Sequence, residues 1–426
     1  MRAPVREEWG FDRRRGILTP VYEPASQMIP LLRARRRVAS ARCTALSGSL
    51  AVVMGDIDLV RPLALAGVRS ALFAQRHDPA GLSRHVVARI GWRDHWRDQD
   101  GVAEELLAFA RTQEQRPLLV PQTDGDLVAV SRQRARLEHA FHATLAEPEL
   151  VESLVDKERF AELARSLELP VPPSRRLDPA RDAAHDVDVR FPLVIKPLVR
   201  DHARWSRVEG AAKAVEVRTS EDLSALWPRL AELGMEVLAQ EQIAGPESAI
   251  ESHHAYVGSD GALVAEFTGR KIRTRPRRFG HTTALRITSE DDVAALGREI
   301  LAAIGLRGVA KVDFKRAPDG RLHLLEVNAR FNLWHHPGAV AGVNLPALVH
   351  ADLTGTPRPP IGPIRAGVTW CLPLGDVRAA RSEGVGLASW LAFLRRCEVR
   401  SGMTLDDPFP FLAGALWAPL ARRLRV

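Results

Sequence analysis

Short apolar runs alternate with amphipathic segments along most of this chain. The apolar runs at 50–54, 71–73 and 117–121 predict buried strands, and helical patterns lie between them. Because strands that alternate with helices build parallel sheets, residues 48–153 are expected to form a parallel α/β domain. The arginine-rich stretch at 1–47 is expected to be a solvated basic arm.

The pattern after residue 153 predicts a second body with two lobes. A helix at 157–169 stops at a proline-rich stretch, because proline cannot continue a helix. Strands are predicted at 193–196, 214–217, 235–240, 249–257, 263–267, 309–315 and 321–329. We divide this part of the chain into one lobe at 154–238, a second lobe at 239–356 and a C-terminal extension at 357–426.

One of the predicted strand pairs has a polar face that a core strand would not have. Pro318-Asp319-Gly320 predicts a turn, so the two strands around it should form a hairpin. Side chains alternate along a strand, which places four residues on one face: Leu324, Glu326, Asn328 and Arg330. The opposite face would carry Leu325, Val327 and Ala329.

Asp313, on the first strand of this hairpin, joins the polar face only if the connection has an even number of residues. A two-residue turn would set it directly opposite Glu326. Asp313, Glu326 and Asn328 would then form a cluster of hard oxygen ligands, which suits Mg²⁺ or, alternatively, Mn²⁺. A surface hairpin with an ion pair to Arg330 is the competing interpretation.

The net charge of +8 does not by itself indicate a nucleic-acid partner, since the basic residues are scattered and no zinc-finger or RNA-binding signature is present. Only six of the 60 basic residues are lysines, and all six lie between residues 157 and 315. In a chain that otherwise uses arginine, a lysine marks a position where a compact ammonium is needed. The span from 157 to 315 is therefore expected to carry chemistry.

The three cysteines, Cys43, Cys371 and Cys397, are far apart in the sequence and form no CxxC pair. No apolar stretch is long enough to span a bilayer, and no signal-peptide pattern precedes the first domain. These features favour a cytoplasmic protein without stable membrane insertion.

The hairpin resembles the metal-binding end of ATP-grasp enzymes, where a carboxylate-bearing strand precedes a Glu-x-Asn-x-Arg run. Four further segments resemble the family's motifs and follow in the family's order: Asp156-Lys157, Val194 to Pro197, Gln240 to Glu247, and Gly269 to Arg273. Five elements in order are far more specific than any one alone. The chain is similar to the carboxylate–amine ligase branch that includes D-aspartate ligase.

The resemblance implies both a fold and a set of roles. The fold is mixed α/β and α+β, with an N-terminal parallel α/β (pre-ATP-grasp) domain followed by a two-lobed ATP-grasp fold. The implied nucleotide-binding residues are Lys157 and Lys196 for the phosphates, Gln240, Glu241, Gln242 and Ile243 for adenine, and Glu247 for the ribose. Asp313, Glu326 and Asn328 would hold the metal, and Lys271 and Arg330 would be catalytic.

The implied reaction activates a carboxylate as an acyl phosphate and joins it to an amine, with release of ADP and phosphate. Small-molecule or peptide carboxylates and amines would be the substrates, nucleic acid would not bind, and a homodimer is left open. Two alternatives remain: the same fold with a thiol or carboxylase-type nucleophile, and a nucleotide-binding module without turnover.

Three further residues are candidates for substrate contacts. Asp124 follows a parallel strand, where ligands tend to bind, and could hold the amine. Arg273 could bind an anionic acyl substrate, and His336 follows closely after the hairpin. Solvated side chains are the competing interpretation for all three.

The sequence departs from the family pattern after Lys196. Many relatives have a glycine-rich phosphate loop there, whereas residues 199–210 contain a single glycine. Basic residues near this segment could supply the phosphate contacts instead: Arg200, Arg204, Arg207 or Lys213. Two alternatives stay open, a loop that becomes ordered only with substrate and an exposed lid loop with solvated arginines.

Overall fold

A computed structural model describes residues 9–12, 17–20, 50–198, 202–209 and 213–415. The chain divides into two compact units, residues 1–46 and 47–426. In the first unit, strands β1 (Trp9–Asp12) and β2 (Ile17–Pro20) pair antiparallel, with Trp9 opposite Pro20. The sequence predicts a solvated basic arm over residues 1–47, and this short strand pair is the part of it that the structure describes. The arginines at 13–15 and 35–37 lie outside the described residues.

A four-stranded parallel sheet opens the second unit. Its strands are β3 (Ala51–Met54), β4 (Ser70–Ala74), β5 (Val86–Gly91) and β6 (Leu118–Pro121), in the spatial order β5-β4-β3-β6. The helices of this domain are α1 (Ile57–Leu65), α2 (Gln99–Ala110), α3 (Asp124–Arg132) and α4 (Arg134–Leu137). Every residue of β3 and β6 is buried, as expected when helices cover both faces of a parallel sheet. The predicted parallel domain is confirmed.

Two helices, α5 (Pro148–Val155) and α6 (Lys157–Ser166), lead to a smaller lobe that we call the lid. The lid sheet is antiparallel and consists of β7 (Ser174–Leu177), β8 (Leu193–Pro197), β9 (Val215–Val217) and β10 (Val237–Glu241), in the order β7-β10-β8-β9. Helices α7 (His202–Glu209) and α8 (Ser220–Leu233) complete the lid. Thr219 caps α8 through its side chain, and Trp227 and Leu230 of this helix are buried against the sheet.

A seven-stranded sheet forms the large lobe. Its strands are β11 (Ile250–Val257), β12 (Leu263–Arg275), β13 (His281–Thr288), β14 (Gly308–Arg316), β15 (Leu322–Asn328), β16 (Thr369–Cys371) and β17 (Val399–Arg400). They are arranged in the order β15-β14-β11-β12-β13-β16-β17. Its helices are α9 (Asp291–Ala303), α10 (His335–Val340), α11 (Leu345–Thr354), α12 (Pro373–Ser382) and α13 (Leu387–Arg396). None of the helices in the described ranges is long and apolar enough to cross a membrane.

The connection between β14 and β15 does not have the even length that we expected. The last strand pair is Arg316 with Leu322, which leaves the five-residue connection 317–321. Nevertheless Asp313 lies directly opposite Glu326, because Leu325 is an extra residue that has no partner on β14. Such a β-bulge shifts the register by one position and compensates for the odd connection. The expectation of an even-length connection was therefore wrong, although Asp313 and Glu326 do lie opposite each other.

The bulge also corrects the predicted position of Leu324. Leu324 is fully buried and packs with Phe314, Val327 and Ala329 in one hydrophobic core. It therefore lies on the apolar face, and the alternation expected from the sequence holds only from Glu326 onward.

The C-terminal extension proposed at 357–426 does not form a separate layer. Strand β16 pairs with β13, with Trp370 opposite Leu285, and β17 pairs with β16. Trp370 and Val399 also share a hydrophobic core with Leu59 of the parallel domain. Residues 369–400 therefore complete the large lobe. The closing segment around Trp417 lies outside the described residues.

Candidate active site

The polar face of β14 and β15 carries the candidate metal ligands. Asp313 is almost fully buried, at 2% exposure, and lies opposite Glu326, while Lys311 lies opposite Asn328. The Lys311 ammonium donates to Asp313 Oδ2 at 2.5 Å, and the Ser252 hydroxyl donates to the other oxygen of this carboxylate. A buried carboxylate needs such partners, since an unpaired buried charge is costly. Two carboxylates and a carboxamide therefore meet across one strand pair.

A chain of hydrogen bonds connects this face to Arg330. The Asn328 amide donates to Glu326 Oε1 at 3.2 Å, and Asn328 Oδ1 accepts from Arg330 Nη2 at 2.9 Å. Arg330 also donates to Asp124 Oδ1 at 2.6 Å and to the main-chain oxygen of Gln122 at 2.8 Å. Arg330 therefore joins the polar face to the carboxyl end of the parallel sheet.

Lys196 approaches this face from the lid. Its ammonium donates to Gln240 Oε1 at 2.7 Å on the neighbouring strand. Burial lowers the pKa of Lys196; the charges of Glu326 and Glu247 oppose this effect, and that of Lys315 adds to it. Since these charges act on Lys196, the lid and the large lobe bring their ionised groups to one cleft.

A second group of cations lies beside Lys196. Burial lowers the pKa of Lys315, Glu247 raises it, and the charges of Arg278 and Lys271 lower it further. Arg278 forms an ion pair with Glu216 of the lid. The charges of Arg278 and Lys271 therefore act on Lys315, and a polyphosphate bound here would add negative charge to this group of cations.

The two remaining motif segments occupy the same cleft. The Lys157 ammonium donates to the main-chain oxygen of Leu198 at 3.2 Å and also to that of Pro197. In the hinge segment, the N–H groups of Glu241 and Gln242 donate to the main-chain oxygens of Pro173 and Pro192 at 2.8 and 2.9 Å. Because those two N–H groups are engaged, adenine would have to be recognised by other groups of the segment.

Gln242 and Glu247 of the hinge segment are half-buried, and Gln242 has polar partners. With its amide oriented to match its neighbours, Gln242 donates to Glu216 and accepts from Arg278, each at 3.1 Å. Glu247 begins a short 3₁₀ turn (Glu247–Ala249), and Ile243 is buried. The segment predicted to bind the nucleoside therefore borders the cation group described above.

An aromatic cluster lies on the same side of the sheet as Asp313. The His254 ring stacks on Phe267 with centroids 4.6 Å apart, and Trp334 lies 5.1 Å from it. His335 is fully buried, and burial together with the charge of Arg330 lowers its pKa to about 3. These histidines are therefore neutral core side chains rather than cationic ligands.

Two of the predicted substrate residues have other roles in the structure. Arg273 forms a buried two-point ion pair with Asp376, with N–O distances of 2.8 and 2.6 Å. His336 Nδ1 contacts Asp58 at 2.7 Å in a buried network. Asp124, the third, is bound by Arg330 and so is held at the edge of the site.

The phosphate contacts expected from residues 199–213 are only partly described. Arg204 donates to the main-chain oxygen of Gly234 at 3.0 Å, which ties α7 to the end of α8. Arg207 is exposed on α7, and Lys213 donates its main-chain N–H to the oxygen of Phe279 at 3.3 Å. Arg200 lies outside the described residues.

Ser252 escaped the sequence analysis, because it reaches Asp313 only through the pairing of β11 with β14 and left no local signal. Lys311 and Lys315 are among the six lysines that the sequence singles out, but they were given no role; they alternate with Asp313 along β14, and strand periodicity could have placed them on its face. Arg278 belongs to the basic run after Lys271 and reaches Glu216 of the lid through a loop.

The oxygen donors fit a hard divalent cation. Asp313 and Glu326 face each other across the strand pair, and the Asn328 carboxamide is adjacent to both. Within the described part of the chain, no cluster of three or more His, Cys, Asp or Glu side chains is arranged for a metal. The candidate set therefore consists of two carboxylates and one amide oxygen, which leaves room for phosphate oxygens and water.

Parts of this chain are similar in sequence to known proteins. Residues 237–370 match the family model described as "ATP-grasp in the biosynthetic pathway with Ter operon". D-aspartate ligase of Enterococcus faecium (strain Aus0004) is 24% identical over 244 residues, which cover 55% of this chain and 58% of that protein. D-alanine–D-alanine ligase of Pseudomonas entomophila (strain L48) is 27% identical over 218 residues, covering 47% and 63%. The chain thus spans about three fifths of the length of these curated relatives.

The fold comparison agrees with the sequence comparison. An ADP complex of N5-carboxyaminoimidazole ribonucleotide synthetase superposes with a TM-score of 0.59 and 13% identity, covering 81% of this chain and 87% of that one. At that identity the likeness concerns the fold alone. Residues 237–370 therefore match an ATP-grasp family, and the two sequence relatives named above are ligases.

Proposed function

We propose that this protein is an ATP-dependent ligase that activates a carboxylate as an acyl phosphate and joins it to an amine. The observation that carries the proposal is the pairing of Asp313 with Glu326 on a face reached by Lys196 from the lid. Two carboxylates that face each other beside several cations suit a metal–polyphosphate complex.

The chain's own residues supply positioning and charge for this reaction. Lys196, Lys271 and Lys315 would bind the phosphates, and Arg330 would face the oxygens of the acyl phosphate beside the parallel sheet. Phosphoryl transfer depends mostly on such positioning and electrostatic stabilisation, so no covalent enzyme nucleophile is required.

Asp313, Glu326 and Asn328 would hold Mg²⁺. When bound, the metal would neutralise charge on the β- and γ-phosphates. The contact from Lys311 holds the Asp313 carboxylate in place at one end of the three candidate metal ligands.

Hydroxylamine trapping tests the first half of the reaction. The protein is incubated with ATP, Mg²⁺, hydroxylamine and a panel of carboxylates, and hydroxamate and ADP are measured together. An acyl phosphate converts to a hydroxamate, so a productive carboxylate should yield both products in equal amounts. Amines are then screened with that carboxylate, and the product mass identifies the bond formed.

Glu326→Gln tests the assigned metal site. Removing one ligand charge should lower hydroxamate formation by about 100-fold or more and raise the Mg²⁺ concentration required. Glu299→Gln, an exposed glutamate on α9, is the matched control and should behave as wild type. Full turnover of Glu326→Gln at the wild-type Mg²⁺ requirement would refute the assignment. ATP binding without ADP release for every pair would favour the non-catalytic alternative.

A further inference from the structure

Asp56 lies at the carboxyl end of β3, directly before α1, and it is partly buried. Its Oδ1 accepts from the N–H of Asp58 at 2.9 Å, as a helix N-cap does, and its Oδ2 accepts from Gln122 Nε2 at 2.9 Å. Gln122 is held tightly, since a Cβ at Gly55 would lie 2.0 Å from its Oε1. The Asp56 carboxylate is thus fixed in position at the edge where parallel sheets bind ligands.

Four aspartates lie at this edge, and three of them have partners that satisfy their charge. Asp124 accepts from Arg330 and Asp126 contacts His95 at 3.0 Å. Asp58 contacts His336 and accepts from Trp370 and Ser401. In the described part of the chain, Asp56 accepts only from neutral groups. A part-exposed carboxylate without a cationic partner suits an ammonium from outside the protein.

Asp56 is also two hydrogen bonds away from the residue proposed to hold the acyl phosphate. Gln122 donates its side-chain amide to Asp56, while its main-chain oxygen accepts from Arg330 Nη1 at 2.8 Å. A substrate amine bound at Asp56 would therefore lie next to a carbonyl group held by Arg330. That is the arrangement an amine needs to attack an acyl phosphate.

The electrostatic surroundings favour proton uptake by Asp56. Burial and the neighbouring charge of Asp58 raise the pKa of Asp56 to about 7, and Asp78 contributes in the same direction. Hydrogen bonds from the Asp58 N–H and from Gln122 oppose the rise. The other charged groups near this edge, Arg330 with Asp124 and His336 with Asp58, are already paired. A base that titrates near neutral pH is best suited to accept a proton there.

We propose that Asp56 is a catalytic residue that binds the ammonium of the amine substrate and takes its proton as the amine attacks; this inference rests on the proposed function. The ammonium gives one proton to the Asp56 carboxylate, and the free amine forms a C–N bond with the acyl carbon. The bond between that carbon and the phosphate oxygen breaks, and inorganic phosphate leaves with its electron pair. The second proton on nitrogen passes to solvent.

Comparing two nucleophiles tests this role. An alkylamine is protonated at neutral pH and needs a base, whereas hydroxylamine is largely uncharged and does not. Asp56→Asn keeps the helix cap and the side-chain shape, so the fold should be retained. We expect turnover with the alkylamine to fall by about 100-fold or more and hydroxamate formation to stay within about threefold of wild type.

The pH profile gives a second readout that a purely structural role would not move. In wild type, kcat/KM for the alkylamine should rise through pH 7 as Asp56 loses its proton, and this limb should be absent from Asp56→Asn. Asp98→Asn, which caps α2 in the same domain, is the matched control and should keep the wild-type limb.

The outcomes separate this inference from the proposed function. An equal loss with both nucleophiles, or no loss with either, would overturn the role of Asp56 while wild-type hydroxamate formation still supports the ligase. If wild type forms no hydroxamate with any carboxylate, the proposed function fails, and the role of Asp56 fails with it.

Discussion

We expect the buried ion pair between Arg273 and Asp376 to contribute strongly to the stability of the fold. Asp376 is fully buried, and besides Arg273 it accepts from Thr283 and Trp390, each at 3.0 Å. Arg273→Met keeps most of the side-chain length and its packing against Phe393, but it leaves the carboxylate without a cation. We therefore expect a large loss of stability from one substitution on β12.

The magnitude follows from the burial of both partners. Removing one partner of a buried ion pair costs about 3–5 kcal/mol, because the remaining charge stays away from water. An unfolding entropy of about 2.1 cal/mol/K per residue gives about 0.8 kcal/mol/K for a unit of about 380 residues. The melting temperature should therefore fall by about 5 °C.

Thermal melting followed by circular dichroism measures this effect, with urea unfolding as a second measure. Arg273→Met combined with Asp376→Asn removes the buried charge while keeping an acceptor for Thr283 and Trp390, and it should recover at least half of the loss. Arg275→Met is the matched control, since Arg275 is exposed on the same strand. It should melt within about 1 °C of wild type.

The same variants decide whether Arg273 touches substrate. If the ion pair is its only role, Arg273→Met should keep wild-type KM values once corrected for the folded fraction. A variant with an unchanged melting temperature and a raised KM for the carboxylate would refute the structural assignment and restore Arg273 as a substrate residue.

Three further predictions concern the cleft and its aromatic neighbours. His335→Phe should make the protein less sensitive to acid. Below pH 6.5 the unfolded chain protonates this histidine, whereas the folded protein, in which its pKa is about 3, does not, so the stability of wild type falls by about 2 kcal/mol between pH 6.5 and 5. The stability of the variant should fall by less, and urea midpoints at both pH values will show the difference. Gly269→Ala should lower the free energy of unfolding, measured with urea, by about 1–3 kcal/mol. The reason is that the added Cβ would lie 2.6 Å from the Trp334 ring and 3.0 Å from a backbone oxygen. An unchanged urea midpoint would contradict this packing. The affinity for ATP, measured by calorimetry, should begin to fall at a lower pH than the pKa of an ordinary lysine would give, because burial lowers the pKa of Lys196 and lets it lose its proton earlier. A Lys196→Met variant that keeps the same pH dependence would show that another group is responsible.

Much of the nucleotide cleft could be predicted because its signals are local. Lys196 lies within a short apolar strand, and the turn at Pro318 to Gly320 marks a hairpin without any knowledge of the fold. Residues that reach the site from elsewhere could not be predicted in this way. Gln122 contacts Arg330, and it also contacts Asp56 because β6 and β3 are neighbours in the parallel sheet.

Two β-bulges account for the remaining differences between the sequence analysis and the structure, and they act in opposite directions. On β15 the extra residue Leu325 compensates for an odd connection and returns Asp313 to Glu326. On β12 the register shifts between Lys271, which lies opposite Leu285, and Arg273, which lies opposite Ala284. Ala284 packs against Cys371 and Cys397, so Arg273 is on the face that meets Asp376.

Neither bulge could be read from the pattern of apolar and polar residues. The extra residues, Leu325 and Ile272, are both apolar, and each fits a strand that alternates regularly. A single unpaired residue moves every later side chain to the other face, so one bulge is enough to bring a carboxylate into a site or take a guanidinium out of it. Strand periodicity therefore points to the residue types of the candidate site, while the bulges decide which of them face the cleft.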